Sequence, residues 1–294
     1  VSVNIDAYHL QYGNFVAGLE ALLAAHPGAN PARINLEILE TNAFEDLQQV
    51  AEIMRACRAL GVSFALDDFG TGYASLTYLK WLPAELLKID QSFVRDMLDD
   101  PDDLAIVESV IGLANAFQRH TIAEGVETVE HGEMLLQLGC ELAQGYGIAK
   151  PMPADALAGW IGQWQPDMRW RVWENQPIDR NNLPAIFARV RHHHWLHALA
   201  HPHRDVPGFE LADCPLTHWQ KNHGHAHYGT PPLFAEITAL HHQFHELGQE
   251  VAVSHRCGET HDRENRIKTL FSLHEELQTA LQQLTRNSHQ ERTG

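Results

Sequence analysis

The feature that most constrains this chain is a regular alternation through residues 1–165. Short β-type runs at 1–5, 34–39, 62–67, 86–89, 121–124 and 142–147 are separated by longer amphipathic stretches. Over 44–60, Leu47, Val50, Ile53, Met54, Cys57 and Leu60 recur at three- and four-residue spacing, the apolar stripe of a helix. Strand and helix repeated in this way leave few folds open. Successive parallel strands need crossovers, and helical crossovers on a parallel sheet give an α/β sheet or barrel.

A polar or acidic residue closes nearly every run: Asn4, Glu37 and Glu40, Asp67 and Asp68, Asp90 after Lys88, Glu124, and Gln144. In a βα barrel or open sheet the carboxyl ends of the strands share one face, so the series predicts one site gathered from six strands. For any single acid the competing explanation is a helix N-cap. Glu37, Asp67, Asp68 and Glu124 on neighbouring strand ends repel one another unless a cation sits among them. Donors made only of oxygen suit Mg²⁺ or Mn²⁺, and Asn4 and Gln144 can complete such a shell through their side-chain oxygens. A pair of ions ~3.5–4 Å apart acidifies a bound water and neutralises a phosphoryl oxygen. Lys88 adds one positive group able to steer a water or a phosphate oxygen. The reaction class this donor set suggests is metal-assisted phosphodiester hydrolysis.

The 294 residues carry a net charge of −17, which argues against a DNA or RNA partner. With 44% hydrophobic and 20% charged residues the chain should fold around real cores, and its length suits two domains. Histidine marks the division: only four of 21 precede residue 166. Four scattered cysteines, with no signal-peptide pattern or long apolar run within these residues, lead to the expectation of a reducing cytoplasm and of no membrane segment in this fragment.

Six segments carry a family resemblance: Ser2-Val-Asn4, Glu37-Ile-Leu-Glu40, Asp67-Asp-Phe-Gly-Thr-Gly-Tyr73, Leu87-Lys-Ile-Asp90, Ala123-Glu-Gly-Val-Glu127 and Gln144-Gly-Tyr146. In this order they resemble the EAL-domain family of cyclic di-GMP phosphodiesterases over about residues 1–165. The resemblance implies a (β/α)8 TIM-type barrel that opens cyclic di-GMP to linear pGpG with two Mg²⁺ or Mn²⁺ ions. It implies metal binding by Asn4, Glu37, Asp67, Asp68 and Glu124, with Asp68 able to bridge the ions. Lys88 would orient the catalytic water and Gln144 support the site. Glu40 would hold the loop 68–75 that presents the aspartates. Glu127 matches the motif too, yet fits equally a carboxylate at a helix N-terminus.

Two departures stand out. No Glu-Ala-Leu strand is present: the chain opens at what resembles the third strand of the barrel, so the first two βα units and one metal-binding Glu are missing. Such a fragment should be inactive alone and belong to a longer protein, with a GGDEF or sensory domain expected upstream and pairing through the barrel expected from the family. Asp6 and Leu39 stand where the family usually has Ser and Thr. The alternative function is a catalytically inactive EAL-type receptor or interaction module.

Residues 166–184, with three prolines and neighbouring tryptophans, read as a linker that packs on its surroundings. Helical patterns follow at 183–200, 233–253 and 263–284. In the last, Ile267, Leu270, Leu273, Leu277, Leu281 and Leu284 form one stripe, as in an all-α helical bundle over 185–294. His241 and His245, at i and i+4, present two imidazoles on one helix face, half of a zinc site, and Cys214 is the obvious thiolate. Solvated surface histidines are the competing explanation for this crowded region. The stretches His192-His-His-Trp195, Cys214-Pro-Leu-Thr-His-Trp219 and Leu240-His-His-Gln-Phe-His245 resemble the chemoreceptor zinc-binding (CZB) domain, with Thr217 in place of the usual Gly. That resemblance implies Zn²⁺ held by His192, Cys214, His241 and His245, and a regulatory role for the domain. His241 is preferred to His242 by its spacing to His245.

Overall fold

The computed structural model describes residues 1–11, 14–39, 46–71, 75–173, 180–201, 208–228, 232–257 and 263–293. Glu40 and part of the loop 68–75 therefore lie outside the described residues. The chain divides into two compact units, Val1–Met97 with Asp102–Glu174, and Leu98–Pro101 with Asn175–Gly294.

In the first unit, β1 (Ser2–Asn4), β2 (Asn35–Leu39), β3 (Ser63–Phe69), β4 (Leu86–Ile89), β5 (His120–Ala123) and β6 (Leu142–Ala143) form one parallel sheet in sequence order. This is a TIM-barrel-like arrangement in which strands alternate with helices. Ile38, Phe64, Leu66, Leu87, Ile89 and Ala123 are fully or almost fully buried, as the apolar runs require. The helix Leu47–Ala59 contributes Val50, Met54 and Cys57 to the core, and Pro101–Ala116 contributes Leu104, Val107, Val110 and Ile111.

Helix starts use short polar side chains. Asp46 accepts from the amides of Gln48 and Gln49, and Thr128 from that of His131. Asp90, one of the acids closing a run, accepts from Ser92 N and so caps the helix Gln91–Asp96. The run expected over 142–147 narrows to a two-residue strand. Beyond it Gly145 passes so close to Val126 that a Cβ there would lie 2.3 Å from the Val126 carbonyl oxygen, so only glycine fits. The stretch after residue 165 is anchored by Trp170, whose indole donates to the Val129 carbonyl at 2.8 Å.

The second unit contains the helices Leu183–Ala200, Pro215–Trp219, Pro232–Cys257 and Arg263–Thr293, with a π-helical turn at Gln220–Gly224. The final helix extends past the expected residue 284. Its stripe is buried at Leu270, Leu277, Leu281 and Leu284, against a core that includes Trp195, Leu199, Trp219, Ile237 and Phe244. No helix among the described residues is long and apolar enough to cross a membrane.

Candidate functional site

The carboxyl ends of β2 to β5 bring charged groups to one point in the first unit. Lys88 Nζ lies 2.7 Å from Glu37 Oε2, 2.7 Å from Asp67 Oδ1 and 2.5 Å from Glu124 Oε1. Lys88, Glu37 and Asp67 are buried. Gln144, from the end of β6, donates through Nε2 to Glu124 Oε1 at 2.6 Å. Asn4 pairs with Glu37 in the β1–β2 register but is itself exposed. Glu127 is exposed and immediately precedes the cap residue Thr128.

Strand alternation alone would send the consecutive Asp67 and Asp68 to opposite faces. A register shift between Leu66 and Phe69 against β4 places one extra residue here, and Asp68 adopts a left-handed backbone with φ 53°. Such a bulge re-aims side chains next to functional sites, and Asp tolerates the left-handed region better than most residues. Ligand atoms of Asp67, Asp68 and Glu124 consequently fall within 4.8 Å of one another.

The electrostatics follow from burial and crowding. The Asp68 carboxyl is pushed up to about 6 by desolvation, then by the charge of Asp67 and a hydrogen bond with Asp90. Desolvation likewise raises Glu124, against the opposing pull of Lys88. For Lys88, burial favours the neutral amine, yet hydrogen bonds to Asp67, Glu124 and Glu37 outweigh it and hold the ammonium protonated. Beside Glu124 a cavity of about 600 Å³ opens, lined by Gln91, Glu127, Gln144, Tyr146, Lys150 and Trp160 among others. Its volume lies within the ordinary range for small-molecule sites.

A second cluster lies within the helical unit. His192, Cys214, His241 and His245 are all buried, and one ligand atom from each falls within 4.8 Å of the others. His192 Nε2 is 3.1 Å from His245 Nε2 and 3.2 Å from Cys214 Sγ. Tetrahedral ligands at ~2.0–2.3 Å from an ion are separated by roughly 3.3–3.8 Å, so little movement separates these atoms from such a shell. His241 Nε2 is buried without a hydrogen-bond partner among the described residues, while Nδ1 of the same ring meets Gln220 Oε1 at 3.1 Å. His245 Nδ1 faces the Phe209 carbonyl at 3.2 Å, and Trp195 stacks on the His245 ring at 5.6 Å. His242 is exposed.

Desolvation drives His192 far below the usual imidazole range, His241 to about 3 and His245 to about 4, so all three rings are neutral at pH 7. It pushes the Cys214 thiol up to about 11, against the amides of Leu216 and Thr217 at the start of the helix that Cys214 opens. Thr217, at the position where a Gly was expected, is accommodated by donating from Oγ1 to the Leu211 carbonyl at 2.6 Å.

Sequence reasoning did not single out Gln220 or the Phe209 carbonyl. A glutamine directly after a motif tryptophan carries no ligand signal, and a backbone carbonyl carries none at all.

The family model for the EAL domain matches residues 1–151. Among curated relatives, the bifunctional diguanylate cyclase/cyclic di-GMP phosphodiesterase MucR of Pseudomonas aeruginosa is 39% identical over 157 residues, 53% of this chain and 23% of that protein. A cyclic di-GMP phosphodiesterase of the same organism is 36% identical over 162 residues, 55% of this chain and 27% of the relative. The chain thus spans about a quarter of these relatives. Among solved structures, the EAL domain of Mycobacterium smegmatis DcpA matches with a TM-score of 0.53 at 36% identity, covering 55% of this chain and 72% of that one. The PaMucR phosphodiesterase, solved as a c-di-GMP complex, matches with a TM-score of 0.50 at 39% identity, covering 53% and 63%.

Proposed function

Because this chain belongs to the EAL domain family through residues 1–151, we propose that it supplies the carboxylate wall of a phosphodiesterase that opens cyclic di-GMP to pGpG. In the same proposal a zinc-binding, CZB-like unit over 185–294 regulates that activity, joined to the segment 1–165 by 166–184. The single observation carrying the enzymatic reading is the meeting of Glu37, Asp67 and Glu124 on Lys88, with Asp68 alongside. The donor chemistry fits two hard ions, Mg²⁺ or Mn²⁺, held by Asn4, Glu37, Asp67, Asp68 and Glu124. Bound there, such ions supply charge neutralisation at the phosphoryl oxygens and an acidified water.

This chain's own residues do the rest. Lys88 is held protonated by three carboxylates, so it is not the base; it would orient the attacking water through an N–H freed when one of those carboxylates turns to an ion. Gln144 keeps Glu124 in place. The adjoining cavity, with Gln91, Lys150 and Tyr146 on its wall, is large enough to take part of a dinucleotide. In the helical unit, three neutral imidazoles and a thiol fit Zn²⁺, whose binding releases the thiol proton.

Incubating the full-length protein with cyclic di-GMP and Mg²⁺, with and without a zinc chelator, tests both parts. Accumulation of pGpG at a zinc-dependent rate is expected. Ligand binding without turnover assigns the inactive receptor instead, and turnover indifferent to zinc removes the regulatory role.

A further inference from the structure

Gln220 lies in the π-helical turn directly after the helix that Cys214 opens, and its side chain crosses to the helix Pro232–Cys257. There its Oε1 meets His241 Nδ1 at 3.1 Å, both residues being buried, and its Nε2 meets Thr238 Oγ1 at 3.4 Å. The orientation of the amide follows from the next link. Thr238 donates its one hydroxyl proton to the Phe234 carbonyl at 2.9 Å, so toward Gln220 it can only accept, and the atom facing it must be the amide nitrogen. The amide oxygen is thereby left for His241, and since that oxygen can only accept, Nδ1 of the imidazole carries the proton. The lone pair then resides on Nε2, the buried atom with no hydrogen-bond partner among the described residues.

The other imidazoles of the cluster are held differently. His245 has a backbone carbonyl, that of Phe209, at its Nδ1. His192 Nδ1 is buried and has no partner among the described residues. Gln220 is therefore where a side chain, rather than the main chain, decides which nitrogen of a cluster imidazole is available.

We propose that Gln220 is a positioning residue of the metal centre. It fixes His241 as the Nδ1–H tautomer with Nε2 turned toward Cys214, His192 and His245, and Thr238 holds the amide in that orientation. The proposal rests on reading those four residues as a zinc site. Metal-bound imidazoles ordinarily donate their second N–H to such an acceptor, and removing the acceptor typically weakens metal binding ~10–100-fold.

The test compares the full chain with Gln220→Met, which keeps length and removes the acceptor, and Gln220→Glu, which keeps an acceptor. Zinc affinity is read by chelator competition, and the His241 tautomer by imidazole ¹⁵N shifts in the metal-free chain. Expected are a loss of roughly 10–100-fold in Gln220→Met with a mixed tautomer, and affinity within about threefold of wild type in Gln220→Glu with Nδ1–H retained. A merely structural role would move the melting temperature without moving the tautomer. Equal zinc affinity in Gln220→Met and wild type overturns the proposal alone. A wild-type chain that binds no zinc overturns the zinc reading and the proposal with it. Should Gln220→Met fail to fold, Thr238→Val takes its place: a several-fold loss supports the relay, and an unchanged affinity and tautomer overturn it.

Discussion

In the first unit three carboxylates crowd one ammonium with Asp68 beside two of them, and the pocket is partly open: Asp68 and Glu124 are only half-buried. In the second unit three imidazoles and a thiol crowd one another in a sealed interior. The contrast is electrostatic. Buried carboxylates stay ionised only with compensating charge, so the first cluster needs Lys88 to hold together before any ion arrives. Neutral nitrogen and sulfur donors can share a dry site without a counter-charge, at the cost of proton release when metal binds. An open oxygen site beside a cavity suits exchange of substrate and water, whereas a closed nitrogen and sulfur site suits a retained ion.

The largest expected effect breaks the first half of that contrast. Lys88→Met leaves buried carboxylates unpaired and should destabilise the first unit by about 3–5 kcal/mol in chelator, read by urea unfolding. Added Mn²⁺ should return part of this, because a divalent ion can replace the lost positive charge. If the loss is under ~1 kcal/mol, the carboxylates are not held by Lys88.

Cys214→Ser acts on the second half. If ~10–16 kcal/mol of zinc binding is shared among four ligands, losing the thiolate should weaken zinc by a few hundred-fold in chelator competition. Mn²⁺ affinity at the carboxylates should be unaffected. Parallel losses at both sites would contradict two chemically independent centres.

Acid sharpens the comparison. His241 and His245 have folded values near 3 and 4, below the unfolded value of ~6.5. The unfolded chain therefore binds protons first, and stability of the metal-free helical unit is present above pH ~6.5 and falls as pH drops toward 4. Between pH 7 and 6 the loss should be of the order of 1 kcal/mol, read from thermal unfolding of the metal-free helical unit. A helical unit whose stability is flat over that interval would show that these imidazoles are not desolvated. The smallest effect belongs to Gln144→Ala. It removes one hydrogen bond to Glu124 from an exposed side chain and should cost under ~1 kcal/mol of stability.

How much of this was legible in the sequence differs between the two sites. The alternation of parallel strands and helices, the helix Leu183–Ala200 and the acids at the ends of β2, β3 and β5 follow from periodicity, because apolar spacing and strand ends are local properties; the sequential strand order was implied only by the family resemblance. The convergence of Asp67 and Asp68 on one face was legible only as a motif. It depends on the bulge and on the left-handed backbone at Asp68, and neither has a periodic signal. Asp90 illustrates the opposite case: it closes a run as the other acids do, but its backbone position makes it a helix cap. In the helical unit, His241 and His245 were visible as a pair on one helix face. Gln220 was not, because its relation to His241 arises from the packing of the π-helical turn on another helix.

The account stands on two centres of opposite chemistry in one chain. Crystals of the full chain grown with both Mn²⁺ and Zn²⁺, with anomalous scattering recorded at each metal's absorption edge, test that most directly. Zinc should appear among His192, Cys214, His241 and His245, and manganese beside Glu37, Asp67, Asp68 and Glu124. Zinc at the carboxylates with the histidine cluster empty, or no ion at either place, would contradict it.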